Sequence, residues 1–331
     1  MEVDTGGTGH VPVLVEEVEA ALAPALDRPG RRLLVDGTLG LAGHTLRLAA
    51  GRPHVVVVGV DRDPRALAVA AERLSAAGLA GRVHRVEAVF DDLPAILPAI
   101  RSAVPAAGGT AAGSPGGVDA VLLDLGVSSL QLDSDDRGFA YSRDTALDMR
   151  MGADGPTAAD VLDTYSAHEL ATVFRQHGDE RFARQIAAAV VRRRAERPLR
   201  TTGELVDLVY ATVPAPARRT GGHPAKRVFQ ALRIEVNDEA GALARALPAW
   251  ADRLGPGGRL AVLTYHSGED RQVKRRFTEL SRVPSPPRLP VEPPPAPFRV
   301  VGRSVVPGPA EVAANPRAAS ARLRVLERVA S

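Results

Sequence analysis

The chain of 331 residues contains no cysteine, and of its 42 basic residues only Lys226 and Lys274 are lysines. Without thiols there is no disulfide, zinc ribbon, iron–sulfur cluster or cysteine nucleophile. Long apolar runs are missing too. The longest aliphatic stretch, Val55 to Val60, is far too short to span a bilayer, and the opening MEVDTGGTGH has neither the basic nor the apolar block of a secretory signal. These absences predict a soluble, cytoplasmic protein that does not enter a membrane. The net charge is +3 and the isoelectric point about 9.6, a weak lean towards a polyanionic partner. A GC-biased genome accounts for the preference for arginine and alanine, so where the arginines cluster says more than how many there are. At 45% hydrophobic the chain can fill a core, and its length predicts one enlarged domain or two intimately joined ones.

What is present begins with strands that stop at acids. Arg32 to Val35 ends in Asp36, Val55 to Val60 in Asp61, Arg82 to Val89 near Phe90, and Val118 to Leu123 in Asp124. Runs apolar on both faces belong inside a parallel sheet, and Asp63-Pro64 reads as a helix start between two of them. Alternating strands and helices predict a doubly wound α/β sheet. Leu14, Val18, Leu22 and Leu26 mark an amphipathic helix before it. From about 150 to 222 strand signals are lacking, while Ser166-x-x-Glu169 and Thr201-x-x-Glu204 read as capping boxes. The chain is therefore divided into a first core part (1–136), an inserted helical subdomain (137–222) and a second core part (223–331). The second part opens with one helix carrying Phe229, Leu232, Val236, Leu243 and Leu247 inward. Pro256-Gly257-Gly258 then turns into a strand from Arg259 to Tyr265. The second part also holds a proline-rich connection (283–298) and an antiparallel last strand near Leu323 and Val325.

The loop DGTLGLAGH after the first strand spaces its glycines G-x-x-G-x-x-G, not as the dinucleotide G-x-G-x-x-G, so phosphate binding is disfavoured. Asp61 is placed to accept hydrogen bonds from ribose hydroxyls, and Phe90 to pack on an adenine face. Together with Asp124 they predict a crevice for a nucleoside-bearing cofactor. An NAD-dependent oxidoreductase stays as an alternative, weakened by the glycine spacing.

Longer blocks narrow this further. His10-x-Pro12-Val13-Leu14, DGTLGLAGH, DLGVSSLQLD followed by RGFAYSRDTALDMRM, HPAKRVFQALRIEVNDE, PGGRLAVLTYHSGEDRQVK and NPRAASARLR span almost the whole chain. They resemble the RsmH, or MraW, family of bacterial small-subunit rRNA cytosine-N(4)-methyltransferases, within the class I S-adenosylmethionine-dependent methyltransferases. The resemblance implies a Rossmann-like sheet with an inserted helical subdomain. It also implies methyl transfer from S-adenosyl-L-methionine to the exocyclic amine of a decoding-centre (P-site) cytosine in 16S rRNA of the small ribosomal subunit. Carried over by motif, the cofactor contacts are Ala42, Gly43, His44, Asp61, Phe90, Asp124 and Gln131. Two positions depart from the family pattern: Ala42 stands where a second glycine is common, and Gly268 where leucine is.

The sulfonium methyl is already activated, so no metal is expected. The cytosine amine is the difficulty, because its lone pair is delocalised into the ring; acceptors on its N–H groups and a base help it react. Methylation at carbon 5 usually runs through a cysteine adduct, which this chain cannot form. Asp124, His266 and Ser267 are the catalytic candidates, with Glu269 and Asp270 nearby; His266 also reads as a structural histidine bonded to backbone, and Asp270 as a helix cap. Ser128 and Ser129 border the expected target base. The stretch from Arg137 to Met151 leads into the insertion, where the flipped cytosine is expected to enter. Lys226, Gln230, Arg233 and Asn237 share one helix face, read either as a cleft wall or as a solvated surface. Met149 and Met151 read as packing. Candidate RNA contacts are Arg192 to Arg194, Arg197, Arg200, Arg218, Arg219, Arg271, Lys274, Arg275 and Arg276. Other readings are methylation of a different amine-bearing RNA base, or RNA binding without chemistry. The oligomeric state is left open, a homodimer included.

Overall fold

The computed structural model describes residues 12–103, 117–127, 137–218, 222–283 and 296–329. His10, Ser128, Ser129, Gln131, Arg219, residues 104–116 and most of the proline-rich connection lie outside the described residues. Two compact units emerge: residues 1–126 with 242–331, and residues 127–241.

The first unit is built on β1 (Arg32–Asp36), β2 (Val55–Asp61), β3 (Val83–Glu87), β4 (Val118–Asp124), β5 (Leu254–Thr264), β6 (Phe298–Val300) and β7 (Arg322–Arg328), in the order β3-β2-β1-β4-β5-β7-β6. β1 to β5 run parallel, and β7 pairs antiparallel with β5 and β6, which bears out the antiparallel last strand. The strands alternate as a buried sheet requires. Leu34, Val57, Ala120 and Leu122 face one core, under α1 (Val15–Leu26), α2 (Gly43–Ala49) and α3 (Pro64–Ala76). Leu33, Val35, Val58 and Leu123 face the other, under α4 (Leu93–Ala103) and the later helices of this unit. The order reverses between β1 and β4, the switch point where sheets of this kind bind ligands.

The Pro256-Gly257-Gly258 turn lies within β5, not before it. Val118 pairs with Leu254 and Ala120 with Arg259, so residues 255–258 bulge out of the ladder, with Gly257 at a φ of 67°. Both flanks of the bulge still find partners in β4, which is why the strand continues through a turn signal.

The second unit packs α5 (Ala158–Thr164), α6 (Ala167–Gly178), α7 (Ala183–Glu196), α8 (Thr202–Thr212), the short α9 (Ala215–Arg218) and α10 (Ala225–Val236) around Phe174, Ile186, Val190, Leu205 and Leu232. Met149 and Met151 are buried in the same core. The expected single helix from Phe229 to Leu247 is two, α10 and α11 (Glu239–Arg253), broken where Asp238 takes a φ of 48°. The break separates allegiances. Phe229 and Leu232 pack in the helical core, Leu243 and Leu247 in the sheet core, so α10, placed by sequence in the second core part, belongs to the helical unit. α12 (Ser267–Leu280) and α13 (Pro309–Ala314) complete the first unit.

Asn237, expected on a polar helix face, is buried just beyond α10. Its Oδ1 accepts from Met151 N at 2.8 Å, and its Nδ2 donates to Met149 O at 2.7 Å and Arg233 O at 2.9 Å. Met149 sits at a φ of 61°, a left-handed conformation that this latch holds in place. Gln230 donates to His177 O and Arg233 pairs with Glu239 through both carboxylate oxygens, while Lys226 is exposed.

Candidate active site

The ends of β1, β2 and β4 bring three carboxylates into one crevice of the first unit. Asp36 is buried; its Oδ2 accepts from Thr45 Oγ1 at 2.7 Å, and burial pushes its carboxyl up. The loop after it turns tightly back onto the sheet, with Gly37 N donating to Leu122 O and Leu39 N to Val60 O. A Cβ on Gly37 would lie 2.5 Å from Leu123 Cδ2 and 3.2 Å from Phe90 Cβ, so only glycine lets the chain pass. Ala42 then takes a φ of 62° and heads α2. That conformation costs an L-residue about 1–2 kcal/mol. Its fully buried methyl returns about 0.8 kcal/mol, which is how alanine is tolerated where glycine is common.

Asp61 is the best anchored of the three. Its Oδ2 accepts from Gly40 N and its Oδ1 from Asp63 N, each at 2.8 Å. Burial nevertheless pushes its carboxyl up to about 6, against those two bonds. A half-buried carboxylate with lone pairs still open suits hydroxyl donors. Phe90 lies in the turn after β3, held by Trp250 Nε1, which donates to its carbonyl at 2.8 Å.

Asp124 closes β4. Its amide donates to Thr38 Oγ1 at 2.6 Å, its Oδ1 accepts the Tyr265 hydroxyl at 2.8 Å, and its Oδ2 lies 3.5 Å from His44 Nδ1. His44 is oriented by its other nitrogen, 3.0 Å from Val13 O. Tyr265 is half-buried at the end of β5; burial and the facing Asp124 carboxylate push its hydroxyl far up, so it stays a donor. The sequence marks Asp36 and Tyr265 only as strand ends and Thr38 only as part of the glycine loop, none of them as a site residue. The strand-end position marks Asp36 and Tyr265 alike, but it does not reveal that the Tyr265 hydroxyl meets Asp124.

His266 and Ser267 follow Tyr265 at the start of α12. His266 is the N-cap of α12 in a reciprocal capping box with Glu269, and Ser267 is the exposed first residue of the helix. Both ring nitrogens of His266 lie against Glu269: Nδ1 is 3.4 Å from its amide, and Nε2 is 3.1 Å from Oε1 but poorly aligned for a hydrogen bond. The backbone-bonded alternative for His266 matches this geometry. Asp270, expected as a cap, instead forms a two-pronged ion pair with Arg324 at 2.7 and 3.1 Å. Gly268 is the second residue of α12, and a Cβ there would meet the His266 ring at 3.1 Å.

Several arginines proposed for RNA have partners within the helical unit. Arg194 donates to Leu162 O and Tyr165 O, Arg197 and Arg193 face Glu204, and Arg200 lies 2.9 Å from Asp163. On α12, Arg275 and Arg276 flank Glu279. Among the described residues no helix is long and apolar enough to cross a membrane.

A family model described as the MraW methylase family matches residues 7–329. A Ribosomal RNA small subunit methyltransferase H from a Nocardioides species is 55% identical, over 97% of this chain and 97% of its own length. Its counterpart from Saccharopolyspora erythraea is 52% identical, over 97% of this chain and 93% of its own. Among solved structures, an rRNA methylase from Streptococcus thermophilus aligns over 97% of this chain and 99% of its own, at 13% identity and a TM-score of 0.43. A likeness that loose adds nothing to the relatives' agreement. Matched along nearly its whole length, the chain belongs to the MraW methylase family.

Proposed function

We propose that the chain is an S-adenosylmethionine-dependent methyltransferase of small-subunit ribosomal RNA, acting in the cytoplasm on the exocyclic N(4) amine of a decoding-centre cytosine in 16S rRNA. Family membership and the relatives' names support the coarser part. The finer part rests on one observation: a strand-end carboxylate, Asp124, fixed by a tyrosine hydroxyl and lying beside a histidine.

When bound, S-adenosylmethionine supplies an activated sulfonium methyl group. Asp61 would accept hydrogen bonds from its ribose hydroxyls, Phe90 would pack on the adenine, and Ala42, Gly43 and His44 would line it from the loop, with Gln131, outside the described residues, carried over by motif alone. The three carboxylates Asp36, Asp61 and Asp124 suit a cationic ligand. Asp124 accepts an N–H of the target amine, drawing its lone pair out of conjugation with the ring. Tyr265 holds Asp124 in that orientation. His266 and Ser267 contribute by shaping the turn that fixes Tyr265, with His266 acting through its cap. The absence of cysteine removes the adduct route to carbon 5.

Deleting the gene should remove N(4)-methylated cytidine from small-subunit rRNA. Complementation with the wild-type chain should restore it, and with Asp124→Ala should not. Persistence of the modified nucleoside in the deletion would overturn the proposal.

A further inference from the structure

Away from the crevice, the helical unit carries a second cluster of chemistry. Arg175 near the end of α6, Arg181 in the following turn, Arg184 in the first turn of α7, and Lys226 and Arg227 at the start of α10 are all exposed. They share one corner. Gly178, closing α6, lies so near α10 that a Cβ on it would meet Arg227 O at 2.5 Å. Arg227 Nη1 reaches Asp179 O at 3.4 Å, and Gln230 Nε2 donates to His177 O at 2.9 Å.

What separates this corner from the other arginine clusters is the lack of compensating acid. Arg175, Arg181, Arg184 and Lys226 have no carboxylate partner among the described residues, whereas Arg193, Arg197, Arg200, Arg275 and Arg276 all face one. Glu180 is buried, with its Oε1 accepting from Phe182 N, and Glu235 is engaged by Tyr165 and His177. Asp179 is the exposed acid of the corner, against five cations.

A second, independent feature adjoins it. His223, just before α10, is exposed and stacked on Tyr141, with ring centroids 4.7 Å apart and an interplanar angle of 13°. Tyr141 is braced edge-on by Phe229. His223 is tied to the basic corner through its own helix start, its Nδ1 accepting from Ala225 N and its carbonyl from Lys226 N. An exposed, pre-oriented ring beside unpaired cations matches single-stranded RNA, which offers a base face and phosphates at adjoining positions.

We propose that this corner of the helical unit binds a single-stranded segment of the RNA substrate. His223 on Tyr141 stacks one base, and Arg175, Arg181, Arg184, Lys226 and Arg227 take the flanking phosphates. The proposal rests on the reading of RNA as the substrate.

The test uses the full-length chain with in-vitro-transcribed 16S rRNA and a short unstructured oligoribonucleotide, measuring affinity across a salt series. A combined Arg175→Glu, Arg181→Glu, Arg184→Glu variant should weaken binding and make the log–log salt slope shallower by about 2, the loss of three single-strand phosphate contacts. His223→Ala should bind about tenfold more weakly with its slope unchanged. Reversing Arg275 and Arg276 should have the smaller effect. All variants should keep wild-type affinity for S-adenosylhomocysteine, which shows that they are folded. Wild-type affinity and slope in both corner variants would overturn the assignment, as would an equal loss in the α12 control. Normal RNA binding with lost methylation of assembled subunits would put a ribosomal protein on this face and overturn it too. A wild-type chain that binds no rRNA would count against the substrate reading, not against this surface.

Discussion

Asp61 has an acid-range titration where most aspartates have finished theirs, and that makes its role measurable. Burial favours the protonated form, and a protonated carboxyl is a poorer acceptor for ribose hydroxyls. Affinity for S-adenosylhomocysteine should therefore be level near neutrality and fall as pH drops through about 6, by up to about tenfold per unit. Asp61→Ala should lose roughly 1–3 kcal/mol of that affinity and flatten the profile. Calorimetry showing an acid limb unchanged by the substitution would remove Asp61 from the site. Tyr265 makes a different prediction, because it touches Asp124 and not Asp61, the proposed ribose acceptor. Tyr265→Phe should lower turnover about 10- to 100-fold, the scale of one hydrogen bond to a charged group, with a smaller loss of cofactor affinity through Asp124. Unimpaired turnover would refute a positioning role. The contrast shows what was legible at this scale. Asp61, Phe90 and Asp124 could be found because the strand-end rule points to them. Tyr265 also stands at a strand end, but its pairing with Asp124, 141 residues away in sequence, follows from no spacing.

At the scale of elements, local chemistry read well and allegiance did not. The Ser166 and Thr201 capping boxes and the Asp63 cap all form, because each is decided within four residues. The cap of α12 was missed, an imidazole standing where a hydroxyl or carboxylate is usual. The break at Asn237-Asp238 was missed for a deeper reason. An apolar stripe reports that a helix is buried, not which core buries it, so two helices serving different cores read as one. Asn237 is the element-scale weak point, for it ties the end of α10 to the Met149–Met151 turn with two hydrogen bonds and makes a third back to Arg233 O within the helix. Asn237→Ala strands a buried N–H and a buried carbonyl and should destabilise the chain by about 2–4 kcal/mol. The unfolding midpoint should drop while S-adenosylhomocysteine affinity, a property of the sheet unit, holds. An unchanged midpoint would show the latch to be dispensable.

For the whole molecule, composition limits the chemistry before any site is drawn. A chain without cysteine has no thiol to add to a ring carbon, and its strand ends gather carboxylates, in keeping with the proposed amine target. The parallel sheet was readable from apolar runs ending in acids and the antiparallel last strand from the alternation around Leu323 and Val325, whereas the strand order and its switch point come from packing. The extent of the helical unit was not, because its limits at 127 and 241 depend on packing choices that periodicity does not encode. The central claim is amine methylation of an rRNA cytosine, and one measurement addresses it directly. Small subunits from cells lacking this activity are incubated with the purified chain and methyl-labelled S-adenosylmethionine, and the 16S rRNA is digested to nucleosides for mass spectrometry. The label should appear in cytidine methylated at N(4), and Asp124→Ala should abolish it. Label at carbon 5 of cytidine, or in another base, would contradict the account.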